Sequence, residues 1–157
     1  MFSVRSAILL AFAFVLFIAP PALAGTSEEG LAFLAKKENE EGVVKTETGL
    51  MYKELRAGTG KSPLSTTPCK CHYAGTLIDG TEFDSSYRRG QPLSFAPNQV
   101  IKGWTEAMQL MKEGGKWELY IPSELGYGDR GAGASIPGGA VLIFTLEMLE
   151  VTGPGKE

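Results

Sequence analysis

A single short helix set among strand patterns is the feature that most constrains how this chain can fold. Val100–Trp104 predicts an extended stretch that enters a helix from about residue 102 to residue 113. The glycine pair at 114–115 ends it, because glycine adopts positive φ without a Cβ clash. One apolar helix face is formed by Trp104, Ala107, Met108 and Met111. A lone helix must bury such a face against a sheet, which places Trp104 at the base of any cavity there. Ordinary core packing of Trp104 is the alternative.

The first 24 residues predict a secretory signal peptide rather than a part of the fold. Arg5 is their only charge, residues 7–19 are continuously apolar, and Ala22-Leu23-Ala24 is a small-x-small cleavage pattern. The apolar run is too short for a membrane span, and an uncleaved anchor is the alternative. We therefore expect a protein of the secretory pathway that is secreted, periplasmic or in an organelle lumen, with no membrane association after cleavage.

Charge and cysteine spacing argue against several functional classes. Removal of the leader with Arg5 leaves 14 basic against 18 acidic residues, and a net charge of −4 does not suit nucleic acid as a partner. Cys69 and Cys71 point to one face of a predicted strand, and this spacing is a poor fit to a disulfide. With His72 as the only histidine, a metal site is also unfavourable. Both cysteines are predicted to be small buried side chains, and His72 is predicted at the surface rather than in a catalytic triad.

The rest of the chain predicts strands, turns and one long loop behind a weak N-terminal helix. Thr26–Glu29 is a capping-box pattern, but the apolar stripe after it is so small that a solvated tether and an interaction helix both remain open. Alternating side chains predict strands at about 49–56, 69–78, 81–84, 93–95, 116–121 and 142–148. Residues 125–139 form a loop with six glycines, and a loop this long in a small domain is usually functional or mobile.

Several motifs, in order along the chain, resemble the FKBP-type peptidyl-prolyl cis-trans isomerases. They are Tyr73-Ala74-Gly75, the segment from Asp79 to Ser86, Val100–Trp104, Tyr127-Gly128 and Ile136-Pro137. The resemblance runs from about Gly49 to Val151. The lead-in at 33–44, together with the predicted leader, is similar to the secreted macrophage-infectivity-potentiator-like branch.

The resemblance implies a fold and a division of the chain. The implied fold is of the α+β class, a five-stranded antiparallel half-barrel sheet wrapped around one short helix. The expected divisions are a signal peptide (1–24), a short helix and linker (25–48), an isomerase domain (49–152) and a C-terminal tail (153–157).

The resemblance also implies which residues form the site. The catalytic residues would be Asp84, Trp104 and Tyr127, with Trp104 as the floor under the prolyl ring. The substrate-binding residues would be Tyr73, Phe83, Arg89, Leu93, Val100, Ile101, Ile136 and Phe144. The Tyr127 hydroxyl and the Ile101 N–H would hold substrate carbonyls, and Asp84 would be the polar member of the wall. Two positions depart from the family pattern. Leu93 stands where many members have an aromatic residue, and Ala132 stands where some members have a histidine in the loop.

The implied function is acceleration of rotation about X-Pro bonds in secreted or envelope proteins, with no cofactor and no metal. The implied partners are prolyl-containing polypeptides, and macrolide immunosuppressants such as tacrolimus and rapamycin. The alternative from a different class is a non-catalytic prolyl-peptide-binding chaperone or a surface interaction module. We expect a monomer, because residues 25–48 hold only one short predicted helix.

Overall fold

The computed structural model describes residues 25–157, so the predicted signal peptide lies outside the described residues. The strands are β1 (Val43–Lys45), β2 (Met51–Arg56), β3 (Ser62–Pro63), β4 (Cys69–Thr76), β5 (Glu82–Ser85), β6 (Leu93–Phe95), β7 (Lys116–Ile121), β8 (Leu142–Val151) and β9 (Gly155–Lys156). The α-helices are α1 (Glu28–Glu38), α2 (Ser86–Arg89) and α3 (Lys102–Leu110). Single 3₁₀ turns lie at Pro97–Gln99, Ser123–Leu125 and Gly128–Arg130.

One antiparallel sheet carries the fold, in the strand order β1-β2-β7-β8-β4-β5, with β6 also paired to β4. This arrangement confirms the predicted α+β class, but the sheet has seven strands where the alternation patterns predicted six and the resemblance implied five. One addition is β1, a three-residue edge strand paired to β2. The other follows from the length of β4, whose first half pairs with β6 and whose second half pairs with β5. A separate pair, β3 with β9, ties the predicted C-terminal tail to the domain.

Helix α3 packs on the inner face of the sheet, as predicted, but ends three residues earlier than the pattern indicated. The N–H of Met111 makes the last helical bond, to Ala107, and the Met111 backbone is already extended. The N–H of Glu113 donates to the Lys61 carbonyl at 3.0 Å instead of continuing the helix. The apolar face of the helix is fully buried, because Trp104, Ala107, Met108 and Met111 all belong to the core.

Both cysteines lie in the same core, on the inner face of β4. Cys69 and Cys71 are buried and are not joined in a disulfide, which confirms the predicted burial. Burial, with a smaller contribution from Glu113, raises the pKa of the Cys69 thiol to about 11. Burial also raises the pKa of Cys71. Both side chains therefore stay as unreactive thiols at neutral pH.

Helix α1 covers one end of the outer face of the sheet. Ser27 caps it by accepting a hydrogen bond from the Gly30 N–H, and Leu34 is buried against Met51, Tyr120 and Val141. The helix therefore belongs to the folded domain, and the solvated-tether interpretation is wrong. None of the helices within residues 25–157 is long and apolar enough to cross a bilayer.

Candidate active site

A pocket of about 810 Å³ opens on the inner face of the sheet, between α3, the strands and the long loop. Ten of the eleven predicted site residues line it: Tyr73, Phe83, Asp84, Leu93, Val100, Ile101, Trp104, Tyr127, Ile136 and Phe144. The eleventh, Arg89, lies behind the wall, where it contacts the side chains of Asp84 and Tyr73. Residues from several separate elements thus converge on one concave surface.

The floor of the pocket is a set of aromatic rings around Trp104, which is 5% exposed. The rings of Tyr73 and Phe144 meet Trp104 edge-on, with centroids 5.1 and 4.9 Å away, and Phe95 lies tilted at 5.3 Å. Edge-to-face contacts of this kind favour a rigid arrangement of rings. Within residues 25–157, the Trp104 Nε1 is the one buried side-chain N or O atom without a hydrogen-bond partner. The floor is therefore apolar, with a single unused N–H.

Gly75 in β4 is what allows the rings of Phe83 and Phe144 to meet. A Cβ at this position would lie 2.5 Å from the Phe144 ring and 2.6 Å from the Phe83 ring. With glycine there, the two rings contact each other edge-on at a centroid distance of 5.4 Å. The glycine of the Tyr-Ala-Gly motif thus has a steric role in the wall of the pocket.

The polar part of the wall is a cluster of Tyr73, Asp84 and Arg89, which we call the inner cluster. The Tyr73 hydroxyl donates to Asp84 Oδ2 at 2.6 Å. Arg89, from α2, donates to Asp84 Oδ1 and also to the Tyr73 hydroxyl, the latter at 2.8 Å. These groups are held in one geometry because each shares partners with the other two.

Electrostatics keep Asp84 ionised and Tyr73 protonated at neutral pH. Partial burial alone would raise the pKa of Asp84, but the hydrogen bonds from Tyr73 and Arg89 outweigh it and lower that pKa below its usual value. Burial, followed by the hydrogen bond to Asp84, raises the pKa of Tyr73. The pocket therefore presents a negative charge at Asp84, balanced by Arg89.

The rim of the pocket is formed largely by the glycine-rich loop. Ala132 and Ile136 form an antiparallel bridge, with N–H to O distances of 2.9 and 3.1 Å. Tyr127 is 40% exposed and lines the pocket, so it is accessible to a ligand. Leu93, on β6, is also exposed at the rim. The loop predicted to be functional or mobile therefore forms part of the pocket wall.

The start of α3 supplies a free backbone donor beside the floor. The carbonyl of Ile101 accepts the N–H groups of Trp104 and Thr105, both at 3.0 Å. Its own N–H donates to no backbone carbonyl within residues 25–157. This N–H is one of the unsatisfied donors that every helix start leaves, and here it borders the pocket.

Comparison with known protein families assigns the chain to a family. The family described as FKBP-type peptidyl-prolyl cis-trans isomerase matches residues 60–149. The chain belongs to this family. A second family, described as the domain amino-terminal to FKBP-type peptidyl-prolyl isomerase, matches residues 21–53.

Relatives of this FKBP-type chain include two curated bacterial proteins. It is 51% identical to the FKBP-type 22 kDa peptidyl-prolyl cis-trans isomerase of Escherichia coli, over 78% of this chain and 60% of the relative. It is 46% identical to the peptidyl-prolyl cis-trans isomerase Mip of Coxiella burnetii, over 80% of this chain and 54% of the relative. The chain thus spans somewhat more than half the length of these relatives.

A solved structure shows the same fold. The crystal structure of FkpA from Escherichia coli superposes with a TM-score of 0.76 at 44% sequence identity, over 79% of this chain and 58% of that one. The predicted resemblance to FKBP-type isomerases, including the macrophage-infectivity-potentiator-like branch, is therefore confirmed.

The pocket of this FKBP-type domain contains residues that the sequence did not identify as site residues. They are Phe95, Gln99, Gly133 and Ser135. A signal for Phe95 was present, because it lies two residues after Leu93 on β6 and so points to the same side of the strand. Gln99 is held by its Oε1, which accepts from the Ala96 N–H at 2.9 Å. For Gly133 and Ser135 the only signal was their place in the long loop.

The described residues offer no site for a metal. Within residues 25–157, no group of three or more His, Cys, Asp or Glu side chains is arranged to hold an ion.

Proposed function

We propose that this protein is a peptidyl-prolyl cis-trans isomerase that accelerates rotation about X-Pro bonds of secreted or envelope polypeptides, in the pocket above Trp104. The observation that carries the proposal is the aromatic floor, in which three rings surround Trp104 at centroid distances of 4.9 to 5.3 Å. A concave apolar surface of this kind suits the flat, apolar ring of proline. The FKBP-type family to which the chain belongs gives further support.

The reaction needs no strong acid or base, because it consists of a rotation. Amide resonance sets a barrier of about 18–20 kcal/mol, and the uncatalysed rotation takes roughly tens to hundreds of seconds. The twisted transition state has lost that resonance, so its carbonyl is less polarised than that of the planar amide. A pocket that replaces water with apolar rings therefore disfavours the planar amide more than the twisted one. A thousandfold acceleration requires about 4 kcal/mol of such differential binding.

Two open donors would hold the substrate while its X-Pro bond rotates. Ile101, whose N–H donates to no backbone carbonyl within residues 25–157, and Tyr127 both line the pocket. We propose that the Ile101 N–H and the Tyr127 hydroxyl donate to the carbonyls of the residues on either side of the rotating bond. When both carbonyls are held, the bound peptide is already oriented for rotation about the X-Pro bond. This positioning lowers the entropic part of the barrier.

Asp84 is proposed to act as an ionised carboxylate and not as a proton donor. Its pKa is lowered by Tyr73 and Arg89, despite the opposing effect of partial burial. The carboxylate holds the Tyr73 hydroxyl, and through it the ring that meets Trp104 edge-on. It also gives the wall one fixed charge beside the rotating amide, whose charge distribution changes during rotation.

The proposal is tested by measuring catalysed cis-trans exchange in a prolyl peptide, by NMR or with a coupled protease. The wild-type protein is expected to accelerate the exchange. Tyr127→Phe removes one donor and keeps the ring, so kcat/KM is expected to fall about two- to tenfold, the equivalent of one hydrogen bond. Tyr87→Phe is the matched control and is expected to keep the wild-type rate, because Tyr87 does not line the pocket.

The same measurements separate the isomerase from the non-catalytic alternative. A prolyl-binding chaperone or interaction module would bind the peptide, as seen in shifted resonances, without accelerating its exchange. That result would overturn the enzymatic proposal and leave the binding pocket in place.

We also propose that macrolide immunosuppressants such as tacrolimus and rapamycin bind in this pocket. Its volume of about 810 Å³ falls in the usual range of small-molecule sites, and its floor is apolar. Leu93 and Ala132 lie at the rim, so they are expected to tune affinity rather than abolish it. Competitive inhibition of the peptide exchange by rapamycin is the expected result, and absence of inhibition at saturating drug would contradict it.

We propose, further, that residues 1–24 are a cleaved leader and that residues 25–157 act as one folded, monomeric unit in the secretory pathway. Support comes from α1, which covers the outer apolar cluster within the same chain. Light scattering is expected to give the mass of one chain, and a stable dimer at micromolar concentration would contradict the monomer.

A further inference from the structure

Residues Gly25–Ser27 bind both ends of the loop that carries Tyr127. The Gly25 N–H donates to Asp129 Oδ1 at 2.6 Å. The Ser27 N–H donates to the Gly139 carbonyl at 2.9 Å, at the far end of the loop. We call this contact the N-terminal clasp, and it consists of Gly25, Thr26 and Ser27 with Ser123, Glu124, Asp129 and Gly139.

The middle of the N-terminal clasp is a partly buried hydrogen-bond network around Thr26. Its N–H and its hydroxyl donate to the two oxygens of Glu124, at 3.0 and 2.7 Å. The Thr26 hydroxyl in turn accepts the Ser123 N–H at 2.9 Å. Thr26 and Ser123 are both buried. The backbone N–H groups of Gly25, Thr26 and Ser27 thus all have partners in the loop or just before it.

Asp129 is coupled through the backbone to the site residue Tyr127. It lies in the single 3₁₀ turn that Tyr127 precedes, and the Gly131 N–H closes this turn on the Tyr127 carbonyl at 3.2 Å. The Gly139 N–H donates to the Gly128 carbonyl at 2.9 Å, which joins the two ends of the loop. A Cβ at Gly139 would lie 2.9 Å from the Gly25 carbonyl oxygen, so the clasp and the loop are in close backbone contact. Moving Asp129 would therefore move Tyr127.

Cleavage of the predicted leader would change the chemistry of this contact at a single atom. Hydrolysis of the Ala24–Gly25 peptide bond by a leader peptidase consumes one water, leaving a carboxylate on Ala24 and an ammonium on Gly25. The Gly25 nitrogen, an amide in the uncleaved chain, would then be a cation at the position that is 2.6 Å from Asp129 Oδ1. A charge-assisted hydrogen bond is roughly twice as strong as a neutral one.

The charged groups around the Gly25 nitrogen favour such a cation. Asp129 faces it directly, and a Cβ on Gly25 would lie 2.6 Å from Glu124 Oε1. The first turn of α1 adds the two acidic residues at 28–29. Arg130, beside Asp129 in the chain, is the one cationic residue of the 3₁₀ turn. The surroundings are therefore negative on balance.

We propose that leader cleavage after Ala24 places the new amino-terminal ammonium on Asp129 and Glu124, and that Asp129 is thereby a positioning residue for the Tyr127 loop. The expected change in kcat/KM rests on the proposed isomerase function, whereas the formation of the ion pair does not depend on that function. The leader is then more than a targeting signal, because its removal creates the ion pair that positions the Tyr127 loop in the wall of the pocket.

The test compares two chains of equal charge, each released from a tag by a protease. One begins at Gly25, and the other retains Ala24, which turns the Gly25 nitrogen into an amide and moves the ammonium by about 3.8 Å. In the Gly25 chain, we expect slower amide hydrogen exchange over residues 125–139. We also expect a kcat/KM about two- to fivefold higher, the range for a partly exposed ion pair.

The charge itself is tested by titration. The α-amine of the Gly25 chain is expected to titrate above about 8, the ordinary upper value, when followed by NMR. Because its pKa is raised in the folded state, the ion pair is present below that pKa. The advantage in kcat/KM is then lost as pH rises through it. Asp129→Asn keeps an acceptor but removes the charge, so it is expected to lower the amine pKa and remove the pH dependence. Asp79→Asn, in an exposed turn, is the matched control and is expected to change neither.

The possible results divide clearly. If Asp129→Asn leaves the amine pKa unchanged, or if the two chains have the same loop exchange, the proposal is wrong, whatever the activity. If neither chain isomerises prolyl peptides, the proposed function fails, while the amine titration and the loop exchange still decide the inference. An intact mass of the secreted protein that places its first residue anywhere other than Gly25 also overturns the proposal.

Discussion

Two clusters with the same chemistry lie on opposite faces of the sheet. The inner cluster joins Tyr73, Asp84 and Arg89, and an outer cluster joins Tyr87, Glu147 and Arg56. In each, a tyrosine hydroxyl donates to a carboxylate oxygen at 2.6 Å and an arginine binds the other oxygen. Only the inner cluster borders the pocket. A tyrosine-carboxylate-arginine arrangement is therefore not sufficient to identify a site.

The surroundings of the two clusters explain the difference. The inner tyrosine packs against Trp104, whereas the outer tyrosine stacks on His72 at 4.6 Å and is partly exposed to solvent. The carboxylates show the reverse order, because the Asp84 side chain is 39% exposed and that of Glu147 only 16%. The inner cluster thus leaves its charge open to a ligand, and the outer cluster covers its charge. We infer that the first serves binding and the second serves stability.

Helix α2 supplies both clusters from a single turn. The Tyr87 hydroxyl donates to Glu147 in the outer cluster, and Arg89 donates to Asp84 in the inner cluster. Between them, the Ser86 hydroxyl accepts the Tyr73 N–H at 2.7 Å and contacts His72 Nδ1 at 2.8 Å. His72 and Tyr73 are neighbours on β4 and point to opposite faces, as in any strand. This shared turn makes matched substitutions in the two clusters a fair comparison.

The largest expected effect on stability comes from removing Trp104, the buried ring that packs against the tyrosine of the inner cluster. Trp104→Ala removes a buried ring from the core and is expected to lower the free energy of unfolding by about 3–5 kcal/mol in urea denaturation. Trp104→Phe keeps a ring and removes the unpaired Nε1, so it is expected to cost much less. Tyr87→Ala, on the outer face, is expected to cost about 1 kcal/mol. Equal losses for Trp104→Ala and Tyr87→Ala would contradict the distinction between the two faces.

The next effect compares the two carboxylates. Glu147→Gln is expected to cost about 1–3 kcal/mol of unfolding free energy, because this largely buried group is hydrogen-bonded to Tyr87 and Arg56. Asp84→Asn is expected to cost about 1 kcal/mol or less, since its side chain is more exposed. If Asp84→Asn proves the more damaging to stability, then the assignment of the two clusters is reversed.

A smaller effect is expected in the acid range. Hydrogen bonds from Tyr87 and Arg56 lower the pKa of Glu147. A carboxylate with a lowered pKa stabilises the fold above its unfolded pKa, about 4.3, and that contribution is lost as pH falls through the folded value. The difference in melting temperature between the wild type and Glu147→Gln is therefore expected to be constant from pH 6 to 7 and to shrink below about pH 4. A difference that persists to the lowest pH would show that charge is not its cause.

Local patterns in the sequence predicted six of the nine strands within residues 25–157 and the start of α3, and they missed the short strands β1, β3 and β9. They predicted these elements because the two-residue and 3.6-residue repeats of β4, β8 and α3 are strong and sit in the same core. The patterns failed where the start or end of an element depends on contacts with residues far away in the chain. The early end of α3 depends on the bond between Glu113 and Lys61, and β1 has only three residues. The packing of α1 was also hidden, since Leu31 in its apolar stripe is in fact exposed.

The helix pattern placed only Trp104 at the base of a cavity, and the other residues of the pocket were predictable only through the family resemblance. Phe83 and Phe144 look like ordinary core residues in an alternating strand, and Asp84 and Arg89 look like surface charges. The outer cluster carried no signal at all, because Arg56, Tyr87 and Glu147 are far apart in the chain and meet only when β2, β7, β8 and β4 pair. Likewise the N-terminal clasp joins residues about a hundred positions apart, and no periodicity reports such a contact.

The most direct test of the division between the clusters is one pair of isomerisation rates, measured with melting temperatures beside them. Asp84→Leu removes the one charge of the pocket wall and is expected to lower kcat/KM by about tenfold or more, equivalent to about 1.4 kcal/mol, with little change in melting temperature. Glu147→Gln is expected to do the opposite, lowering the melting temperature while kcat/KM stays at the wild-type value. Wild-type kcat/KM in Asp84→Leu, or an equal loss in both variants, would contradict the account that the inner cluster and its pocket are where the X-Pro bond rotates.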